Sequence, residues 1–97
     1  MKAVFISYNQ SLTDEVQDVL DKLSIKGYTQ WLEVKGRGTV TGDPHHGTHV
    51  WPEMNNVHLT MVDDDKVASL LDKLNELNKE VEEQGLRAFV WNIETTI

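Results

Sequence analysis

The sequence contains no cysteine. Disulfides and thiolate metal sites are thereby excluded, and any metal must be held by nitrogen and oxygen donors. Proline is scarce, at two residues, and both fall in one stretch. Basic residues are few: nine Lys and Arg stand against 16 Asp and Glu, for a formal net charge of -7. That deficit argues against a nucleic-acid partner and against an anionic membrane surface, because both need a basic face. No apolar run approaches the ~20 residues that span a bilayer. The start, MKAVFISYNQ, has one Lys and too short an apolar run for a signal peptide. A cytoplasmic protein with no direct membrane insertion is expected.

What is present fits one folded domain over residues 1–97, with 39% apolar and 26% charged residues. Ala3 to Tyr8 is β-branched and aromatic and reads as a strand buried on both faces. Ser11, with Asp14 three residues on, resembles a capping box. Leu12, Val16, Val19, Leu20 and Leu23 then mark one face of a helix, which Gly27 is placed to end. Tyr28 to Val34 is a second strand, with Thr29, Trp31 and Glu33 on one face and Tyr28, Gln30, Leu32 and Val34 on the other. Asn56 to Val62 is a third, with Val57, Leu59 and Met61 opposed to His58 and Thr60. One residue of Asp63-Asp64-Asp65 is expected to cap a second helix. That helix carries Val67, Leu70, Leu71, Leu74, Leu77 and Val81 at helical spacing, with Gly85 as its stop. Arg87 to Ile93 is the fourth strand.

The order β-α-β-β-α-β predicts an α+β, ferredoxin-like fold. Its four-stranded antiparallel sheet has both helices on one face. The uncovered face is expected to carry Trp31, His58, Thr60 and Trp91 or Phe89. An exposed apolar patch of that kind points to a partner, and the simplest is a second copy of the chain.

The stretch from Val34 to Asn56 interrupts this pattern. It holds four of six glycines, both prolines and three of four histidines. So long a loop, spanning about residues 35–55, is uncommon in a compact domain unless it has a function. His45, His46 and His49 lie three and four residues apart, where a turn lets imidazoles converge. Two histidines do not close a tetrahedral site, so Glu53, Glu33 or a neighbouring subunit must complete it. Zn, Ni and Cu(II) are the metals this donor set suits. A polar surface loop rich in His is the plain alternative. Lys35-Gly36-Arg37-Gly38 forms a second candidate, because glycines let backbone N–H groups approach an anion between two cations. Turn chemistry explains it equally well. No serine sits in a nucleophile elbow, and no pattern marks an enzyme.

Three stretches resemble the PII nitrogen-regulatory signalling proteins and their PII-like relatives. These are IKGYTQWLEVKGRGTVTG, NNVHLTMVDDDKVASLLDKL and GLRAFVWNIE, which together follow nearly the whole chain in order. The resemblance implies a homotrimer with a mobile T-loop and with effector clefts between subunits. Relatives bind adenine nucleotides, and some respond to 2-oxoglutarate, bicarbonate or metals. It also implies a protein target, such as a membrane transporter or an enzyme. The family's Gly-rich basic turn before the last strand is replaced here by EVEEQGLRAF. This offers Gly85, the single cation Arg87 and the carboxylates of Glu80, Glu82 and Glu83. Carboxylates beside a phosphate site predict weak or absent nucleotide binding.

The resulting expectation is a non-enzymatic PII-like sensor that signals to a protein partner. It takes a small effector, a transition metal being the favoured choice, at His45, His46, His49 and Glu53. Anions would be held by Lys35, Gly36, Arg37, Gly38 and Arg87. The alternative is an adenine-nucleotide-responsive regulator of nitrogen or transport functions. A more distant one is a small enzyme at a trimer cleft.

Overall fold

The computed structural model describes residues 1–36, 54–80 and 85–97. Its elements are β1 (Lys2–Asn9), a 3-10 turn (Gln10–Leu12), α1 (Thr13–Lys22), β2 (Tyr28–Val34), β3 (Asn55–Val62), α2 (Asp64–Glu80) and β4 (Arg87–Asn92). The strands form one sheet in the order β2-β3-β1-β4, and every pairing is antiparallel. Both helices pack on one face, so the ferredoxin-like arrangement expected from the element order is the one found.

The core lies between that face and the helices. Val4, Ile6 and Tyr8 of β1 meet Val16 and Leu20 of α1, and Leu70 and Leu74 of α2. The helical spacing had marked four of these, and the even positions of β1 supply the rest. Truncating Leu70 or Leu74 to Ala would cost about 2–5 kcal/mol, the usual range for a buried leucine.

Both ends of the first helical segment differ from the sequence reading. Asn9, not Ser11, begins it: its side-chain Oδ1 accepts from the Ser11 N–H at 2.8 Å. Gly27 does not end it. Leu23 is the last cap, and Ser24 follows with φ 58°. Ser24 N–H donates to Asp21 O at 3.0 Å, and Ile25 N–H donates to Leu20 O at 2.9 Å. That pair of bonds is the Schellman closure, with buried Ile25 and Leu20 as its apolar contact. The Lys66 ammonium, on α2, donates to the Leu23 and Ser24 carbonyls, complementing the negative end of α1. Gly85, expected to be a stop signal, has φ 66° just ahead of β4.

Register assigns the two sheet faces. Val4 pairs with Thr60 and Val90, and Ile6 pairs with His58 and Ala88. Thr60 and His58 therefore lie on the helix-covered face, and both are buried. This reverses the expectation that they line the open face. Alternation alone gives two faces, and buried polar side chains are tolerated where partners satisfy them. Thr60 Oγ1 donates to Gly27 O at 2.6 Å. His58 Nε2 lies 3.1 Å from Gln17 Oε1, and its Nδ1 lies 2.6 Å from the Tyr8 hydroxyl. The Gln17 amide nitrogen is committed to Asp21 at 3.0 Å, which points its oxygen at the imidazole. A neutral His58 with its proton on Nε2 satisfies both neighbours: it donates to Gln17 and accepts from Tyr8. Burial holds the His58 pKa below its ordinary value and pushes the Tyr8 phenol up, the latter opposed by hydrogen bonding with Gln30 and Thr13.

Candidate functional site on the open sheet face

The open face is built from the odd positions of β1, β3 and β4. Reading across the sheet, Trp91, Ala3 and Met61 form one row. Phe89, Phe5, Leu59 and Thr29 form the next, and Arg87, Ser7, Val57 and Trp31 the third. Trp91 is 48% exposed, Phe89 57%, Met61 46% and Trp31 45%. Four large apolar side chains half in water on one face form a patch that a partner surface would cover.

The face turns polar at Ser7 and Arg87, on the β1–β4 side of the third row. Ser7 pairs with Arg87 in register, and Asn55 Nδ2 donates to Ser7 Oγ at 3.4 Å. Gly36 lies against Asn55: a Cβ at that position would sit 2.3 Å from Asn55 Nδ2. A larger residue there would displace the Asn55 amide from its place. A line of polar groups, Gly36, Asn55, Ser7 and Arg87, thus crosses one end of an otherwise apolar face. Lys35 is exposed beside it. Arg87 Nη1 donates to Leu86 O at 2.8 Å, and Arg87 also borders a cleft of about 310 Å³ shared with Asn75 and Asn78 of α2.

Of the anion-binding residues expected from sequence, Lys35, Gly36 and Arg87 fall at this end. Arg37 and Gly38 lie outside the described residues. Ser7 and Asn55 were missed. The signal for Ser7 was present, since it is the one hydroxyl in the apolar run AVFISY apart from the terminal tyrosine.

The base of the loop departs from regular alternation. Trp31 pairs with Val57, but Val34 pairs with Asn55, so β2 carries one extra residue between them. Leu32 and Glu33 together face Asn56, and Glu33 adopts φ 55°. This bulge returns Val34 to the same face as Trp31, whereas strict period-two reading puts it on the other.

His45, His46, His49 and Glu53 lie outside the described residues. The remaining histidine, His58, has both ring nitrogens engaged in the core. Among the described residues no group of three or more His, Asp or Glu comes together to hold a metal.

The sequence as a whole, residues 1–97, matches the model of the family described as nitrogen regulatory protein P-II. The chain belongs to the P-II family. Its fold is shared by CPII from Thiomonas intermedia K12, a structure bound to ADP and bicarbonate. The TM-score is 0.76 at 21% identity, over 95% of this chain and 84% of that one. A structure of the same protein bound to ADP, AMP and bicarbonate matches with TM-score 0.76 at 20% identity, over 99% and 92% of the two chains. A PII-like signalling protein from Thermus thermophilus matches with TM-score 0.67 at 23% identity, over 95% and 85%. Among curated proteins, none matches this chain.

The expectation of Zn, Ni or Cu(II) as cofactor is corrected by these findings. The ligands described for the two CPII structures are adenine nucleotides and bicarbonate, not a transition metal. The sequence reading gave weight to the local grouping of imidazoles in the loop. Proximity in sequence does not itself bring donors to one point.

Proposed function

We propose that this protein is an adenine-nucleotide-responsive PII-like regulator that works by binding rather than by catalysis. Its 97 residues act as one domain. ADP or AMP, with bicarbonate as a co-effector, binds at the polar end of the open face, in clefts completed between the subunits of a homotrimer. The segment of about residues 35–55 serves as the T-loop, whose state is read by a protein partner. That partner is a membrane transporter or an enzyme of nitrogen or transport metabolism.

The observation that carries this reading is the polar line from Gly36 through Asn55 and Ser7 to Arg87, set at the edge of an exposed apolar face. The apolar rows suit the subunit interface, and the polar row suits an anion at its margin. Lys35 and Arg87 supply charge for phosphate, joined by Arg37 from the same motif. Gly36 and Gly38 let the backbone approach the anion. The ligands of the CPII structures support the choice of nucleotide and bicarbonate. The shortage of basic residues ahead of β4, which had argued for weak binding, is offset by cations from the loop base.

Calorimetric titration with ADP and AMP, with and without bicarbonate, tests this. Saturable binding is expected, and Arg87→Ala should weaken it roughly tenfold by removing a charge-assisted contact. Absence of binding under all four conditions would overturn the reading.

A further inference from the structure

We infer that Asn56 is a positioning residue for the effector site, acting through the bulge at Leu32 and Glu33. The inference rests on the nucleotide reading above, but its structural half stands separately. Asn56 pairs with Tyr8 on the helix-covered face and is only 6% exposed. An apolar side chain would be the ordinary occupant of such a position.

Both halves of its amide are used. Oδ1 accepts from the Glu33 N–H at 2.8 Å, and Nδ2 donates to Thr13 Oγ1 at 2.7 Å. Thr13 Oγ1 in turn donates to Gln10 O at 2.6 Å, and the Gln10 N–H donates to Met54 O at 2.9 Å. The 3-10 turn and the first residue of α1 thus hold both strands that flank the loop: β2 through Thr13 and Asn56, and the approach to β3 through Gln10 and Met54.

Glu33 is where this matters. A left-handed backbone costs a residue with a Cβ about 1–2 kcal/mol relative to the ordinary regions. The bulge would relax toward regular pairing unless something binds its displaced N–H. Asn56 does that from inside the core. Relaxation by one residue would send Val34 to the opposite face and carry Lys35 and Gly36 away from Asn55. The buried amide therefore fixes on which face the anion-binding end of β2 emerges.

The test uses ADP as probe. Asn56→Leu is close to isosteric and removes both hydrogen bonds; ADP affinity should fall at least roughly tenfold, as expected for displaced binding groups. Adding Glu33→Gly to that variant should restore most of the affinity, because glycine adopts the left-handed conformation without the steric cost of a Cβ. A merely structural role for Asn56 predicts no rescue. Glu33→Val, at an exposed position, should weaken ADP even with Asn56 intact, and it carries the test if Asn56→Leu does not fold. Unchanged ADP affinity in Glu33→Val or Asn56→Leu, or failure of the glycine rescue in a folded double variant, would overturn the inference. If the wild-type protein binds no ADP, the nucleotide reading fails on its own. The latch is then judged by hydrogen exchange at the Glu33 amide, where slowing of roughly tenfold or more relative to Asn56→Leu supports it and equal rates overturn it.

Discussion

The hydroxyl of Tyr8 and Nδ1 of His58 lie 2.6 Å apart in the core, with ring centroids separated by 5.6 Å and planes inclined by 24°. Tyr28 closes on the same imidazole at a centroid distance of 4.9 Å. A titratable position of β3 is thus among the best enclosed, while its neighbours Val57, Leu59 and Met61 lie on the open face.

His58 makes stability depend on pH. Its folded pKa is held below the ordinary 6.5 by burial. Above that value the imidazole is neutral in both states and contributes its full stabilisation. As pH falls through 6.5, the unfolded chain takes up a proton that the folded chain resists, and stability is lost. Thermal melts from pH 7.5 down to about 5 should show this decline. His58→Gln, which does not titrate, should show a shallower one; an equal slope would assign the effect to other groups.

Ser24 holds a left-handed position that glycine occupies at lower cost. Ser24→Gly is expected to stabilise the protein by about 0.5–1 kcal/mol, the steric relief exceeding the added chain entropy. Urea denaturation should show a higher midpoint with an unchanged slope. A lower midpoint would mean that the left-handed serine carries no steric penalty here.

Trp91 and Phe89 lie exposed on the open sheet face, where the subunit interface is proposed. Trp91→Glu places a charge where an apolar surface is to be buried, a change that costs several kcal/mol when uncompensated. Light scattering should give a trimer mass for the wild type and a smaller species for the variant. Equal masses would move the interface elsewhere.

Gly36→Ala tests the contact at the loop base. The new methyl meets the Asn55 amide, so Asn55 must abandon Ser7 or the strand must shift. ADP affinity is expected to fall roughly tenfold, with little change in melting temperature, since the site lies at a strand end. Calorimetry on the folded variant measures it, and wild-type affinity would show that Asn55 moves freely.

The sequence by itself determined the element order, the helix faces and the family likeness. Helical periodicity and β-branched runs are local signals that survive without a partner, as Leu70 and Leu74 show. It also marked the loop and the Lys35-Gly36 motif at its start. Tertiary structure decided which face of β3 is covered. Alternation distinguishes Val57 from His58 but not inside from outside, and only the hydroxyl of Tyr8 and the amide of Gln17 make a buried imidazole tolerable. Tertiary structure also decided the bulge. Nothing local to Leu32-Glu33 requires a left-handed glutamate; the cause is the Asn56 amide, 23 residues away in sequence. Hydrogen bonds of that reach join strands whose pairing is set by the whole sheet, so the direction in which Lys35 and Gly36 emerge is a property of the fold.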